Sequence, residues 1–347
     1  MPGAVHTGLS QAGKKSPAER WPVESLTMRF YKFIEALRMA SNRFVASSDF
    51  INHSAGWRWA QRLMAAGAIG LLAACSSIPL PRGATSQPEA LALLEQSQQA
   101  HGKAAFAAIK DINVSYGGTW FDLIKRIQPA ITDAAFRQTS QERMLVNVSS
   151  GPSVLAQIHS GPGGDKTVIE TERSKVNVWY NGAPYAGADQ QAAAHLVLHA
   201  YQLFLYPAFY VQRASVLELA GTSVVNGRDC DVLLAVLRPG IGNSREDRVL
   251  LSIDRETRLV RRVWLTLEGS EPSQGAVVSV EHDKFVNVGG VVWPTRFYET
   301  VVKPFAGLPA HDFYLTGLDV NRGLTAADFA GGRFSEKAAR PAAELPK

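Results

Sequence analysis

Phe285-Val286-Asn287-Val288-Gly289-Gly290-Val291-Val292-Trp293-Pro294 is the stretch whose reading decides the fold. Apolar residues run up to a Gly-Gly pair and resume directly after it. Two adjacent glycines supply the positive φ angles that a two-residue hairpin turn requires, so the stretch reads as a hairpin tip with arms over 275–288 and 291–302. The same grammar recurs outward. Asn226-Gly227 joins 223–225 to 230–237, the polar turn 254–257 joins 248–253 to 259–267, and Asn181-Gly182 closes 176–180. The segments 114–120, 142–148, 154–159 and 167–171 have strand composition, and 313–320 completes the series. Successive hairpins of this kind predict one antiparallel meander.

Two stretches read as helix instead. In 88–101, Leu91, Leu93, Leu94 and Ala100 cluster on one side; Gly102 interrupts, and 104–109 resumes as a short helix. The stretch 189–210 starts as good helix and continues through Leu203, Phe204, Leu205, Tyr206, Phe209 and Tyr210. That apolar surface is too broad for a stripe, so the helix is either wholly buried or covers something greasy.

The chain before this domain has another character. Leu72-Ala73-Ala74-Cys75 ends an apolar run over 63–74, with Arg58 and Arg62 upstream. A basic flank, an apolar segment and small residues make an export signal. With the cysteine directly after them, they resemble the lipobox of bacterial lipoproteins, in which the thiol receives diacylglycerol and becomes the first residue of the mature protein. The run of twelve residues is short of the roughly 20 that a spanning helix needs, so anchorage by acyl chains is the reading. The chain then divides into a leader or over-extended start (1–57), a signal peptide (58–74), a flexible lipidated tether containing Pro79, Pro81 and Gly83 (75–86), a folded domain (87–330) and an unstructured tail (331–347).

Charge follows this division. The formal net charge is +5, but nine of the 36 Lys/Arg and four of the 31 Asp/Glu precede residue 75, leaving 27 of each beyond it. A neutral mature chain lacks the basic face on which nucleic-acid binding depends. Of the two cysteines, Cys75 is committed to lipid. Cys230 is left without an intramolecular partner and reads as a small buried strand residue.

Lipobox, leading helix, strands, apolar helical insertion and hairpins, in that order, resemble the bacterial lipoprotein-carrier superfamily, the LolA/LolB-like fold. The stretch 285–294 carries most of the resemblance: a strand ends in a Gly-Gly turn and its partner begins with a proline near the edge. His101-Gly102 at the end of the first helix, and Asn321, Leu324 and Phe329 near the close, add to it. The resemblance covers 86–330 and implies a mainly β (α+β) domain. Its curved antiparallel sheet would wrap as an unclosed β-barrel around a helical lid, with acyl chains held between. Trp120, Trp179, Leu203, Phe204, Tyr206, Phe209, Trp264, Trp293 and Phe297 then either fill a solid core or line a cavity. A curved sheet with one substantial helix leaves volume to fill, which favours the cavity.

The expected function is that of a lipoprotein anchored in the outer membrane and facing the periplasm, where it binds or transfers an acylated ligand. Ser76 after the lipidated cysteine favours the outer membrane. The alternative is a non-catalytic structural or interaction lipoprotein with a solid core.

Chemistry is weakly signalled. His195 and His199 stand at i and i+4, a metal-ligand spacing, but no glutamate lies between them and no third ligand is near in sequence, so they read as polar caps on the lid. The glycine-rich 160–166 ends in Lys166-Thr167 but runs on into strand, and reads as a hairpin loop. Glu281-His282-Asp283 and His311-Asp312 place neighbours on opposite strand faces, and there is no Gly-x-Ser-x-Gly elbow. The sequons at Asn113 and Asn147 are chance in a bacterial lipoprotein. No catalytic residue, cofactor or metal is assigned from sequence.

Overall fold

The computed structural model describes residues 78–147, 151–171, 175–325 and 327–329. Cys75 with its lipobox, the leader and the tail from 331 lie outside the described residues. Helices α1 (Pro88–Ala100) and α2 (Lys103–Ala107) precede strand β1 (Asp111–Trp120). Short helices α3 (Asp122–Ile127) and α4 (Pro129–Thr132) follow, then β2 (Thr139–Asn147), β3 (Gly151–Gly161), β4 (Gly164–Thr171), β5 (Lys175–Tyr180) and β6 (Ala183–Tyr185). Helices α5 (Ala188–Leu205) and α6 (Pro207–Tyr210) interrupt the strands. The second run is β7 (Val216–Val225), β8 (Arg228–Leu237), β9 (Asp247–Asp254), β10 (Val260–Leu267), β11 (Ala276–Val288), β12 (Val291–Lys303) and β13 (Leu308–Val320). Among the described residues no helix is long and apolar enough to cross a membrane.

The strands form one antiparallel sheet in the order β6-β5-β4-β3-β2-β1-β13-β12-β11-β10-β9-β8-β7. Strands β6 and β7 sit at opposite ends without pairing, so the barrel is unclosed, as the sequence led us to expect. The three glycine-containing turn pairs read from sequence have the backbone that their residues permit: φ is 52° and 79° at Asn181-Gly182, 49° and 75° at Asn226-Gly227, and 64° and 82° at Gly289-Gly290. Positive φ at both central positions matches the right-handed twist of the flanking strands. Cys230 is fully buried in β8.

One continuous apolar cluster occupies the face of the sheet that the helices cover. Leu93, Leu94 and Phe106 from the first helices meet Leu203, Phe204 and Phe209 from α5 and α6 there, over Val263, Leu265, Trp293 and Phe297 of the sheet. The opposite face is covered at two places by chain ends. Ile78 is buried against Leu234 and Val277, with Trp264 and Leu250 beside it. Its carbonyl accepts a hydrogen bond from the Arg248 guanidinium. The Glu218 carboxylate accepts the backbone N–H groups of Arg82 (3.0 Å) and Gly83 (2.7 Å). Gln87 N–H then donates to the Leu217 carbonyl (2.9 Å), shielding the outer edge of β7. Thus the described part, 78–86, of the tether that proline and glycine content marked as flexible over 75–86 is held along the sheet. At the other end, the Asp111 carboxylate accepts N–H groups from Arg322 (2.8 Å), Gly323 (3.0 Å) and Leu324 (3.2 Å). This lays Leu324 and Phe329 over Ala156, Ile169 and Trp179.

Helices and sheet are joined at His101. Val260 N–H donates to its Nε2 (3.1 Å), so the proton sits on Nδ1, which donates to the Val292 carbonyl (2.7 Å). Val292 N–H returns a bond to the His101 carbonyl (3.1 Å). Next to it, Gly102 has φ +90°, and a Cβ there would lie 2.3 Å from the Gly290 oxygen, so only glycine allows the helix end to approach the hairpin tip. Burial, partly countered by the bond to Val292, lowers the His101 pKa to about 4. The unfolded ring titrates near 6.5, so the unfolded chain takes up the proton first and stability falls as pH drops from about 6.5 to about 4, by about 3 kcal/mol from this residue. Urea denaturation at stepped pH is expected to show that slope, and His101→Gln to reduce it; buried His282, lowered to about 3, and buried His159, held well below the usual histidine range, contribute to what remains. An unchanged slope in the variant would contradict the assignment.

Candidate functional site

Strand register brings unlike residues together beneath α5. Three cross-strand rows occupy the helix-facing side of the first half of the sheet: Ile112-Met144-Leu155-Glu170, Val114-Glu142-Gln157-Val168, and Tyr116-Ser140-His159-Lys166. Each strand thus alternates so as to direct polar groups inward, whereas β8 to β10 direct Leu233, Ala235, Leu251, Val263 and Leu265 there. The interior therefore has an apolar half and a polar half.

Of the nine residues read as a cavity lining, Trp120, Leu203, Phe204, Tyr206, Phe209, Trp293 and Phe297 share the single large cluster. They fill it by direct contact. Phe106 stacks on Phe209 at 3.9 Å between ring centroids and meets Tyr206 at 5.5 Å, and Trp293 donates from Nε1 to the Val288 carbonyl (3.0 Å). Trp179 and Trp264 lie on the other face, beneath the chain ends. Strand alternation is the reason: Val178 and Val263, one residue away, point to the helices. Helix α5 is enclosed rather than laid over an opening, with Gly242 pressed against the Leu196 backbone.

A pocket of about 210 Å³, its mouth included, opens at the polar end between α5 and β1–β3, lined by Tyr116, Arg137, Ser140, His159, Tyr201 and Phe313 among others. Arg137, 7% exposed, lies with its guanidinium 5.0 Å from the Trp120 ring centre and 5.6 Å from that of Tyr201. It donates to the Tyr201 hydroxyl (2.8 Å) and to the Ile131 carbonyl. Among the described residues no carboxylate makes an ion pair with it. Nearby Lys166 is neutralised by Asp133 (2.7 Å), which also accepts from the Tyr180 hydroxyl (2.6 Å). Ser140 Oγ, His159 Nδ1 and the Tyr116 hydroxyl are buried there without hydrogen-bond partners. Burial, then Arg137 and Lys166, hold His159 well below the usual histidine range, so it is neutral. Sequence reasoning missed Arg137, which sits in an unpatterned connection.

Behind the pocket is Glu142, fully buried. Gln157 and Tyr116 approach its carboxyl too loosely to close a hydrogen bond. Burial outweighs their pull and that of Arg137, and its pKa rises to about 8. A second polar group forms where Glu170 of β4 meets His195 and His199 of α5. The Glu170 Oε2 to Nε2 distances are 3.7 Å and 2.8 Å. Glu170 is the third residue that sequence proximity did not offer: it lies 25 positions before His195, and sheet register alone delivers it. His282 is buried and Asp283 exposed, as alternation requires. His311 is paired with Glu299 (2.6 Å) rather than with its neighbour.

No family model matches the chain, and neither does any curated protein sequence. Solved structures to which it is similar include a LolA superfamily protein from Nitrosomonas europaea, at 12% identity over 69% of this chain and 96% of that one, TM-score 0.43. Others are a DUF1329 family protein from Desulfovibrio piger (13% identity, 69% and 96%, TM-score 0.36) and the Mycobacterium tuberculosis lipoprotein LppX (11% identity, 69% and 99%, TM-score 0.25).

Glu142 is neutral in the folded protein at neutral pH, whereas unfolded it ionises near 4.5. Its contribution to stability is present below about 4.5 and is lost as pH rises through about 8. Glu142→Gln is therefore expected to gain stability over the native chain between pH 5 and pH 9, by at least about 1 kcal/mol, measured as the difference in denaturation midpoints. A variant whose offset is independent of pH would contradict this protonation state.

Proposed function

We propose that this domain binds a hydrophobic ligand carrying an acidic head, such as a fatty acyl chain ending in a carboxylate or phosphate. The observation that carries the reading is Arg137: a nearly buried guanidinium between aromatic rings, without an ion-pair partner among the described residues, at the polar end of an interior whose other half is apolar. Guanidinium recognises carboxylate and phosphate by paired, charge-assisted hydrogen bonds. The head lodges against Arg137 with Ser140 and Tyr116 at hand. The chain enters along α5, beside Trp120, Phe313 and Phe204, gaining about 0.8 kcal/mol per buried methylene. The enclosed space is about 10 Å³, room for about one water and far below the roughly 300–1,000 Å³ of ligand sites, so entry needs displacement of α5. The break at Tyr206-Pro207, where φ at Tyr206 is −138° and the helix ends, is the natural hinge.

In this reading Cys75 bears the lipid anchor, 58–74 is the signal peptide removed on export, 1–57 is either a leader lost with it or an over-extended start, and the domain stands in the cell envelope, at the outer membrane facing the periplasm. Binding alone accounts for the site, with no enzymatic step. Transfer to an acceptor would use the same opening. One observation favours the alternative of a structural or interaction lipoprotein: the interior rings already pack at contact distance.

Displacement of a fluorescent fatty acid separates the two. The native protein is expected to bind palmitate, and Arg137→Gln to weaken it roughly tenfold to a hundredfold, as for loss of a hydrogen bond to a charged group. The matching fatty alcohol should bind both proteins alike. No uptake of either compound would move the scaffold reading to first place.

A further inference from the structure

We propose that Glu170, His195 and His199 form a divalent-cation site, with Zn2+ as its ion, that clasps helix α5 to strand β4. The two histidines lie one turn apart on one side of α5, and Glu170 faces them from the sheet. One ligating atom from each residue lies within 4.8 Å of the other two. Metal arms of 2.0–2.1 Å in a tetrahedron put neighbouring donors about 3.3 Å apart. The observed 2.8 Å and 3.7 Å from Glu170 Oε2 to the two Nε2 atoms bracket that spacing, and the ligand atoms of the two histidines lie within 4.8 Å of each other, so the imidazoles need only close on a common centre.

The outer nitrogens are held in the manner of metal ligands. His195 Nδ1 donates to Asn243 Oδ1 (2.9 Å), which leaves the lone pair on Nε2. That atom is buried without a hydrogen-bond partner and faces the Glu170 carboxylate. In that tautomer two acceptors face each other in a buried site, a mismatch that either a proton on Nε2 or a metal cation between them relieves. His199 Nδ1 meets the Tyr210 hydroxyl (3.3 Å), itself fixed by a bond from Arg213 (2.9 Å). A hydroxyl can donate or accept, so Tyr210 serves either tautomer of His199 as Nε2 passes from carboxylate to metal. Two imidazoles and a carboxylate suit Zn2+ better than Ca2+ or Mg2+, which take oxygen ligands. Side-chain exposure is 2% at Glu170, 6% at His195 and 16% at His199, so the ion enters past His199, where water would complete the tetrahedron.

The test uses untagged, full-length protein stripped with a chelator and titrated with ZnCl2 by calorimetry. One Zn2+ per chain is expected, with a rise in Tm that MgCl2 at the same concentration does not produce. Binding should disappear in His195→Gln/His199→Gln and fall tenfold or more in Asn243→Ala, where only a positioning bond is lost. Should the double variant unfold, zinc-edge X-ray absorption of the native protein decides without it: a four-coordinate N/O shell with two imidazoles supports the site. Equal binding by native and variant proteins, a shell without imidazole, or no binding at micromolar Zn2+ overturns it.

Discussion

The neutral imidazole of His101 is the tie on which the arrangement of helices and sheet depends. It accepts from β10 and donates to β12, so the end of the first helix is bonded to two strands that are not neighbours. Strand β11 lies between them, and the curvature of the sheet is what brings both within reach. Gly102 then passes so close to the Gly289-Gly290 turn that no other residue fits. The hairpin tip that reveals the fold in sequence is thus also the surface against which the leading helix is fastened. An unclosed sheet has two faces and two edges to protect. Here the helices cover one face, the chain ends cover parts of the other, and 86–87 guards the edge of β7.

Division of the helix-covered interior follows from the same topology. Successive hairpins β8 to β12 contribute valine, leucine and aromatic side chains, and their half of the interior is closed by ring-on-ring packing. Strands β1 to β4 contribute Glu142, Gln157, His159, Lys166 and Glu170 to the other half. Buried polar groups are costly unless partnered. Some of these are satisfied by Asp133 or by the histidines, while several around Arg137 are not. Unsatisfied polarity next to greasy walls is what an amphiphilic ligand would complement. A helix between the two halves, fixed at one end by Tyr206-Pro207 and held to β4 by His199 and Glu170, is the element whose movement would expose both.

Local grammar made much of the sheet legible. Asn-Gly and Gly-Gly pairs dictated positive φ and therefore the hairpins around 181, 226 and 289, and the polar turn read at 254–257 does join β9 to β10, with its positive φ one residue later at Arg258. The short helices α3 and α4 and strand β6 were not foreseen, because fragments of three to six residues carry too little periodicity. Facing was harder to read than strand identity. Trp179 and Trp264 carry aromatic bulk yet point away from the helices, since chain ends 321–329 and 78–87 offered them cover that no pattern within their own strands announces. Glu170 and Arg137 were missed for the reason common to most sites: their meaning comes from long-range register and packing. His195 and His199 were visible as a pair, and only the fold supplied the carboxylate opposite them.

Acyl-ligand binding is the central claim, and the measurement that tests it most directly is native mass spectrometry of the protein purified from its own envelope, with organic extraction of what accompanies it. The account predicts a stoichiometric species heavier than the protein's own covalent mass, released by solvent as an acidic lipid, and reduced or absent in Phe204→Asp protein that remains folded by circular dichroism. A folded native chain of its covalent mass alone, yielding no extractable lipid and accepting none when offered, would contradict it.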